Sequence, residues 1–229
     1  MKKNNVFLAI IIAAISIALV VLISTVVLDN SSKINEGNFR VNDAVINSTV
    51  DIKEKQEETE IAELSNMVFD ISQENKLSLL ITKDEKINNA YIDNISFTAP
   101  IKKGNMYLTQ SNFEDKFSLD NEEQVINIYP SEKDDQYYVE LNIINENCVV
   151  DAKLPNETKL VKFDGTILEL LNMKISDFVF DLSFDFNIID TTGKKNTCKV
   201  KLNMPSQDLI TDGISIIRQD LSDYNFKVK

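Results

Sequence analysis

The sequence contains no histidine and no tryptophan, and it has only two cysteines. Without histidine the chain lacks the side chain best suited to proton transfer near neutral pH and the commonest metal ligand. Ser-His-Asp and Cys-His catalysis are therefore excluded, and two cysteines are too few for a zinc site made of cysteine alone. The sequence also lacks a glycine-rich phosphate loop and a nucleophile elbow. We therefore predict no catalytic residues, no cofactor-binding residues, no metal ligands and no enzyme activity.

Glycine and proline are scarce, at 5 and 4 residues, which is not the composition of a disordered linker chain. Basic residues are also outnumbered, because 24 Lys and Arg stand against 36 Asp and Glu, for a net charge of −12. A surface this acidic repels phosphate backbones, so we expect no nucleic-acid partner. Docking onto anionic lipid headgroups is disfavoured for the same reason.

Charge is missing entirely from residues 6–28, which read VFLAIIIAAISIALVVLISTVVL. As a helix this stretch spans about 35 Å, against about 30 Å of hydrocarbon in a bilayer. The alternative is a cleaved signal peptide, but its apolar core would be shorter, at ~7–15 residues, and a small-x-small cleavage site would follow. No such site follows Leu28. We therefore predict a retained transmembrane signal anchor over residues 6–28.

The charges that flank the anchor predict its orientation. Lys2 and Lys3 precede it, whereas the first basic residue beyond it is Lys33, which lies between Asp29 and Glu36. By the positive-inside rule the N-terminus is cytoplasmic and the bulk of the chain is extracellular. The predicted location is the plasma membrane, with a single pass.

The chain is thus divided into four parts. Residues 1–5 are a cytoplasmic stub, and residues 6–28 are the anchor. Residues 29–66 are predicted to be a linker or stalk, since residues 53–63 are strong, densely charged helix formers. Residues 67–229 are predicted to form the extracytoplasmic domain.

That domain has the alternation of β strands, most clearly over Phe178–Ile188, where apolar and polar residues take turns. This strand is predicted to pair with Thr197–Met204 across a turn at residues 190–195. Both strands have one apolar and one polar face, as in an antiparallel sheet that packs on a second layer. The predicted fold class is a single N-terminal transmembrane helix plus a mainly-β, antiparallel, β-sandwich-like domain.

The remaining elements are predicted from shorter patterns. Three hairpins would join residues 68–71 to 77–81, 91–97 to 106–108, and 125–129 to 137–144. Two short helices would cover residues 166–173 and 206–222, and a last strand residues 225–229. A short likeness between residues 92–97 and 175–180 raises the alternative of two β subdomains divided near residue 150. Coincidence is the favoured explanation, because the match is short.

Cys148 and Cys198 both lie in predicted strands, and an exported domain permits a disulfide bond between them. Such a bond would constrain the unfolded chain by about 4 kcal/mol in the entropic account. The alternative is a pair of buried thiols, because cysteine is a common core residue. The sequence leaves both readings open.

Two groups of acidic residues are candidate sites. Asp177, Asp181 and Asp185 share one face of the predicted strand, but residues four apart on a strand are separated by about 13 Å. That is too far for one calcium ion or for an acid–base pair, so we interpret the row as a solvated face. Two loops could form a weak surface calcium site from Asp120, Glu122, Glu123, Asp134 and Asp135.

Together these features favour a bitopic cell-envelope protein. Its extracytoplasmic domain would contact other envelope proteins or form a structural part of a membrane-anchored assembly. One alternative is an ectodomain that binds a ligand or a wall polymer. The other is a carboxylate-dependent hydrolase, which would need two carboxyl groups in one cleft.

Overall fold

Every strand pairing in the computed structural model is antiparallel, and the strands form two sheets. The chain divides into two units, Met1–Asn35 and Glu36–Lys229, and all residues that the structure describes belong to the second. The described residues are 39–55, 68–83, 85–98, 104–110, 115–119, 124–133, 136–154, 166–205 and 207–228. The predicted mainly-β, sandwich-like class is confirmed.

Sheet A has seven strands: β1 (Phe39–Lys55), β2 (Val68–Lys83), β4 (Asn105–Gln110), β5 (Phe117–Ser118), β7 (Ser131–Lys133), β8 (Gln136–Lys153) and β11 (Ile214–Asp220). Sheet B has five: β3 (Ile87–Thr98), β6 (Ile126–Ile128), β9 (Phe180–Asp190), β10 (Lys195–Met204) and β12 (Lys227–Val228). The order in sheet A is β11-β1-β2-β8-β4-β5, with β7 also on β8, and the order in sheet B is β12-β10-β9-β3-β6.

The β9–β10 hairpin forms as the alternation predicts. Phe180 pairs with Met204 and Ile189 with Lys195, in unbroken register. The apolar positions of both strands are buried, and Phe184 and Val200 are fully so. Burying a side chain such as Phe184 stabilises the fold by about 1.5–3 kcal/mol relative to leaving it exposed. The pairing of these two strands is therefore confirmed.

The apolar residues form two separate clusters. The inter-sheet core combines side chains of both sheets, such as Leu79 and Val139 from sheet A with Phe184 and Val200 from sheet B. The helix-covered core lies at the other end of β1, β2 and β8. There Phe69 and Cys148 pack with two short helices, α1 (Thr166–Leu170) and α2 (Asp208–Asp212), and with a 3-10 turn at Ile175–Asp177.

Residues 39–55 form β1, so the predicted linker or stalk is wrong over this range. The strand was missed because a β-bulge shifts the register between Val41 and Asp43. Buried positions therefore change from odd numbers, at Phe39 and Val41, to even numbers, at Ala44 and Ile46. A bulge of this kind inserts one residue and breaks the period of two on which strand prediction rests. The sandwich thus begins well before residue 67.

The three predicted hairpins are also wrong. β2 is one continuous strand through residues 72–76, the polar run that predicted a turn. β3 and β4 lie in different sheets, as do β6 and β8, so neither pair is a hairpin. Turn residues indicate where a strand ends, but they do not indicate whether the next strand joins the same sheet.

The C-terminal elements agree in part with those predicted from the sequence. The first predicted helix is present as α1, and the last predicted strand is present as β12. The predicted helix over 206–222 is wrong beyond residue 212, because Gly213 takes the left-handed conformation, at φ 71°, and ends α2. The chain continues as β11. β8 runs through residue 150 without interruption, and the structure shows no division into subdomains there among the described residues.

No helix in the described part of the chain is long and apolar enough to cross a bilayer. The predicted anchor at residues 6–28 and the predicted stub at residues 1–5 lie outside the described residues. Residues 29–38 and 56–66 of the predicted linker also lie outside them.

Candidate functional site

The structure does not join the two cysteines. Cys148 belongs to the helix-covered core, where its Sγ lies 3.2 Å from the carbonyl oxygen of Ile71. Cys198 belongs to the inter-sheet core, where burial raises the pKa of its thiol to about 12. Both are buried thiols, in different clusters and on different sheets. The structure thus matches the second of the two readings that the sequence left open.

The candidate acidic residues are not gathered into a site. Asp177 accepts a hydrogen bond from the backbone N–H of Lys174 at 2.9 Å, and Asp181 accepts one from Asn203. Over the ranges that the structure describes, no three His, Cys, Asp or Glu side chains are close enough to hold a metal ion. The loop residues Asp120, Glu122, Glu123, Asp134 and Asp135 lie outside the described residues.

A polar network does occupy the outer face of sheet B, around a bulge in β3. Asp93 and Asp185 are directly opposite on β3 and β9, although like charges in that position repel. The Asn94 amide nitrogen lies 3.0 Å from Asp185 Oδ2 and 3.4 Å from Asp93 Oδ1, so one donor group faces both carboxylates. Asn94 has a positive φ of 50°, at a register shift between Asp93 and Ser96. Bulged, left-handed residues are over-represented next to functional sites.

The same network continues toward β10. Asn187 is fully buried and donates to Asp93 Oδ1 at 2.9 Å, while its own oxygen accepts the hydroxyl of Thr197 at 2.8 Å. The ammonium group of Lys195 lies 5.0 Å from the centre of the Tyr91 ring. A hydrogen bond to Tyr91 raises the pKa of Lys195. We call Tyr91, Asp93, Asn94, Asp185, Asn187 and Lys195 the Asn94 network; of its members Asn94 is exposed and Asn187 is fully buried.

A second feature is the edge of sheet A at β11. This seven-residue strand pairs with β1 on one side and has no strand neighbour on the other within the described residues. Leu221 N donates to Asn42 O at 2.9 Å, one step beyond the Asp43–Asp220 pair. Antiparallel pairs alternate between bonded and non-bonded positions. The backbone N–H and C=O groups of residues 214, 216, 218 and 220 therefore point away from β1, toward the open edge.

The side chains along this edge fit a contact surface. Ile216 is 47% exposed. Arg218 is held by Asp43 through two hydrogen bonds, at 2.6 and 3.2 Å, and the pKa of Arg218 is raised by this contact. The strand reads ISIIRQD and contains neither lysine nor proline, two residues that natural edge strands use to repel other strands. We call the open side of β11 the β11 edge.

The other sheet ends in the described residues are short or blocked. β5 and β12 have two residues each, and β6 has three. The Gln110 side chain also occupies the edge of β6: its nitrogen donates to Asn127 O at 2.6 Å, and its oxygen accepts from Tyr129 N at 3.2 Å. This amide takes the place that a neighbouring strand would have. β11 is thus the longest of the strands that end a sheet in the described part of the chain.

Comparisons with protein families, with curated proteins and with solved structures found no match for this chain. The sequence did not predict the β11 edge, because Ile214, Ile217 and Leu221 also fit helical spacing. The Asn94 network had one signal, an Asp-Asn pair in the middle of a predicted strand.

Proposed function

We propose that this chain is a bitopic cell-envelope protein whose β-sandwich binds another envelope protein through the β11 edge. The observation that carries the proposal is a seven-residue edge strand whose outward N–H and C=O groups have no neighbouring strand in the described residues. A partner strand that adds to such an edge gains a row of main-chain hydrogen bonds, and its side chains supply specificity.

The apolar and charged residues of the β11 edge support this mode of binding. Ile216 offers exposed apolar surface beside the backbone groups that a partner strand would bond. The guanidinium of Arg218 is already neutralised by Asp43, so it presents little net charge to an approaching strand. Edge strands that avoid association usually carry an unpaired charge or a proline at such positions.

The membrane location is part of the same proposal. Residues 6–28 would anchor the chain in the plasma membrane, with Lys2 and Lys3 on the cytoplasmic side. The sandwich would then be extracellular. Protease added to intact cells, after removal of the wall, should digest the domain from residue 39 onward. If the domain is protected until the membrane is dissolved, the proposed orientation is wrong.

Strand addition can be tested with a proline substitution that spares the fold. Ile216→Pro removes an N–H that points away from β1, so the pairing of β1 with β11 keeps its hydrogen bonds. Proline is tolerated on edge strands when its N–H side faces solvent. The matched control is Ile216→Thr, which removes the apolar side chain but keeps the N–H and the preference for a strand.

The readout is photo-crosslinking in cells of the native host. A photoreactive residue in place of Ile214 should give one discrete adduct with another envelope protein, identified by mass spectrometry. The adduct should be lost in the Ile216→Pro background and retained with Ile216→Thr. Val150 is 56% exposed and lies on β8, outside the β11 edge. A photoreactive residue in its place measures non-specific capture. Equal adducts at both positions, or an adduct that Ile216→Pro leaves unchanged, would contradict the proposal.

A second candidate function is the binding of a polar ligand or wall polymer at the Asn94 network. The observation in its favour is the left-handed bulge at Asn94, beside two opposed carboxylates. Asn94→Gly keeps that backbone conformation and removes the amide, so it should weaken retention on purified wall material without unfolding the domain. Unchanged retention would end this candidate. The hydrolase alternative gains no support from Asp93 and Asp185, because both face the amide of Asn94.

A further inference from the structure

A row of polar side chains crosses the inner face of sheet A between the two apolar clusters. Its members are at least nine-tenths buried, and they come from β11, β1, β2 and β8: Ser215, Ser48, Asn75, Gln73 and Asn145. They share the inner face because each lies two residues along its strand from a core residue, as Ser48 does from Ile46 and Asn145 from Ile143. We call this row the polar belt.

Most of the belt is joined by hydrogen bonds centred on Asn75. Its Oδ1 accepts the hydroxyl of Ser48 at 2.6 Å and the amide of Gln73 at 3.0 Å, and its Nδ2 donates to the Ile143 carbonyl at 3.1 Å. These contacts fix the orientation of the Asn75 and Gln73 amides. A reversed Gln73 would place its oxygen against Asn75 Oδ1.

Two buried oxygens of the belt have no hydrogen-bond donor within the described part of the chain. They are Gln73 Oε1 and Asn145 Oδ1, and their residues are directly opposite on β2 and β8. A buried acceptor without a donor costs about 1–3 kcal/mol. Folded proteins seldom leave such groups unsatisfied, and where the protein supplies no donor an internal water does so.

We propose that the polar belt is a binding site for internal water, which donates hydrogen bonds to Gln73 Oε1 and Asn145 Oδ1. The charge of the site favours a neutral ligand, because all five belt side chains are uncharged and a cation would have no counter-charge there. The burial of the site favours a small ligand, because Gln73 is fully buried and Asn145 is 8% exposed. Water is the smallest molecule that donates two hydrogen bonds.

The test is to measure long-lived water by magnetic relaxation dispersion, with oxygen-17 water and the full chain in detergent micelles. Asn145→Leu should remove part of the dispersion amplitude that the wild-type protein shows. Asn203→Leu, a substitution at an exposed position outside the belt, should leave the amplitude unchanged. A wild-type amplitude that Asn145→Leu does not reduce would overturn the proposal.

Two further measurements keep the proposal falsifiable if Asn145→Leu folds poorly. A crystal structure of the unmodified chain should show water density within hydrogen-bond distance of both oxygens. Density for a protein donor instead would overturn the proposal. Replacing sodium or potassium chloride with choline chloride at equal ionic strength should not shift the melting temperature. A shift that depends on the small cation would indicate a bound ion and would also overturn it.

Discussion

Asn75 offers the sharpest test of how much the polar belt contributes to stability. Asn75→Leu nearly conserves the volume of the side chain but removes its hydrogen bonds to Ser48, Gln73 and the Ile143 carbonyl. Each buried group that loses its partner costs about 1–3 kcal/mol, and the added apolar surface offsets part of this. We expect the free energy of unfolding to fall by about 3–5 kcal/mol. For a domain of this size the melting temperature should fall by about 6–20 °C, at ~2–4 °C per kcal/mol.

The assay is thermal unfolding of the full chain in detergent, followed by near-ultraviolet circular dichroism of its tyrosines. Ser48→Ala is the matched control, because it removes one of the same hydrogen bonds and should cost only about 1 kcal/mol. The two effects should not add in the double variant, since the Ser48 bond is already lost in Asn75→Leu. If Asn75→Leu cost less than about 1 kcal/mol, the hydrogen bonds around Asn75 would not stabilise the fold as described above.

Three other predictions concern single positions. Gly104→Ala should destabilise the fold by more than about 2 kcal/mol, because φ is 73° and an added Cβ would lie 2.7 Å from Asn145 Oδ1. Gly193→Ala is the control: the space around Gly193 is open, so this variant should cost only about 1 kcal/mol of backbone strain. Chemical denaturation compares the stability of the two variants. Cys198 should resist alkylation at pH 8 in the native protein, since its pKa is about 12, and two thiols should react after unfolding without reductant; only a disulfide would leave none. The pKa of Asp190 is lowered, chiefly by the hydrogen bond that it accepts from Thr192. The ionised form of Asp190 therefore stabilises the fold above the pKa of the unfolded chain, about 4, and this stabilisation is lost as pH falls through the pKa of the folded protein. The melting-temperature advantage of the wild-type protein over Asp190→Asn should therefore shrink between pH 5 and pH 2, and a constant difference would refute this assignment.

The sequence predicted the parts of the fold in which local pattern and global packing agree. The β9–β10 hairpin is the best case, because its alternation is unbroken and its turn is short. β1 was missed because one bulge reverses which side chains face inward after Val41. β2 was predicted as two strands joined by a turn, because Gln73 and Asn75 are typical turn residues, although both are buried in the sheet.

The candidate site was harder to predict than the fold. An open edge is a property of the whole sheet, because it depends on which strand has no neighbour, and no local pattern encodes that. In β11 the isoleucines also fit helical spacing, and only the left-handed Gly213 separates the strand from α2. The assignment of strands to sheets, such as β3 and β4 to different layers, likewise depends on contacts between residues distant in sequence.

Gln110 has a consequence for how many copies or partners could associate. Its amide fills the lateral position beside β6, so β6 does not offer that side to another chain. A strand that adds to the β11 edge of one molecule therefore finds no matching edge at β6 of the next. Strand addition would then not propagate through β6 from one molecule to the next into a fibre.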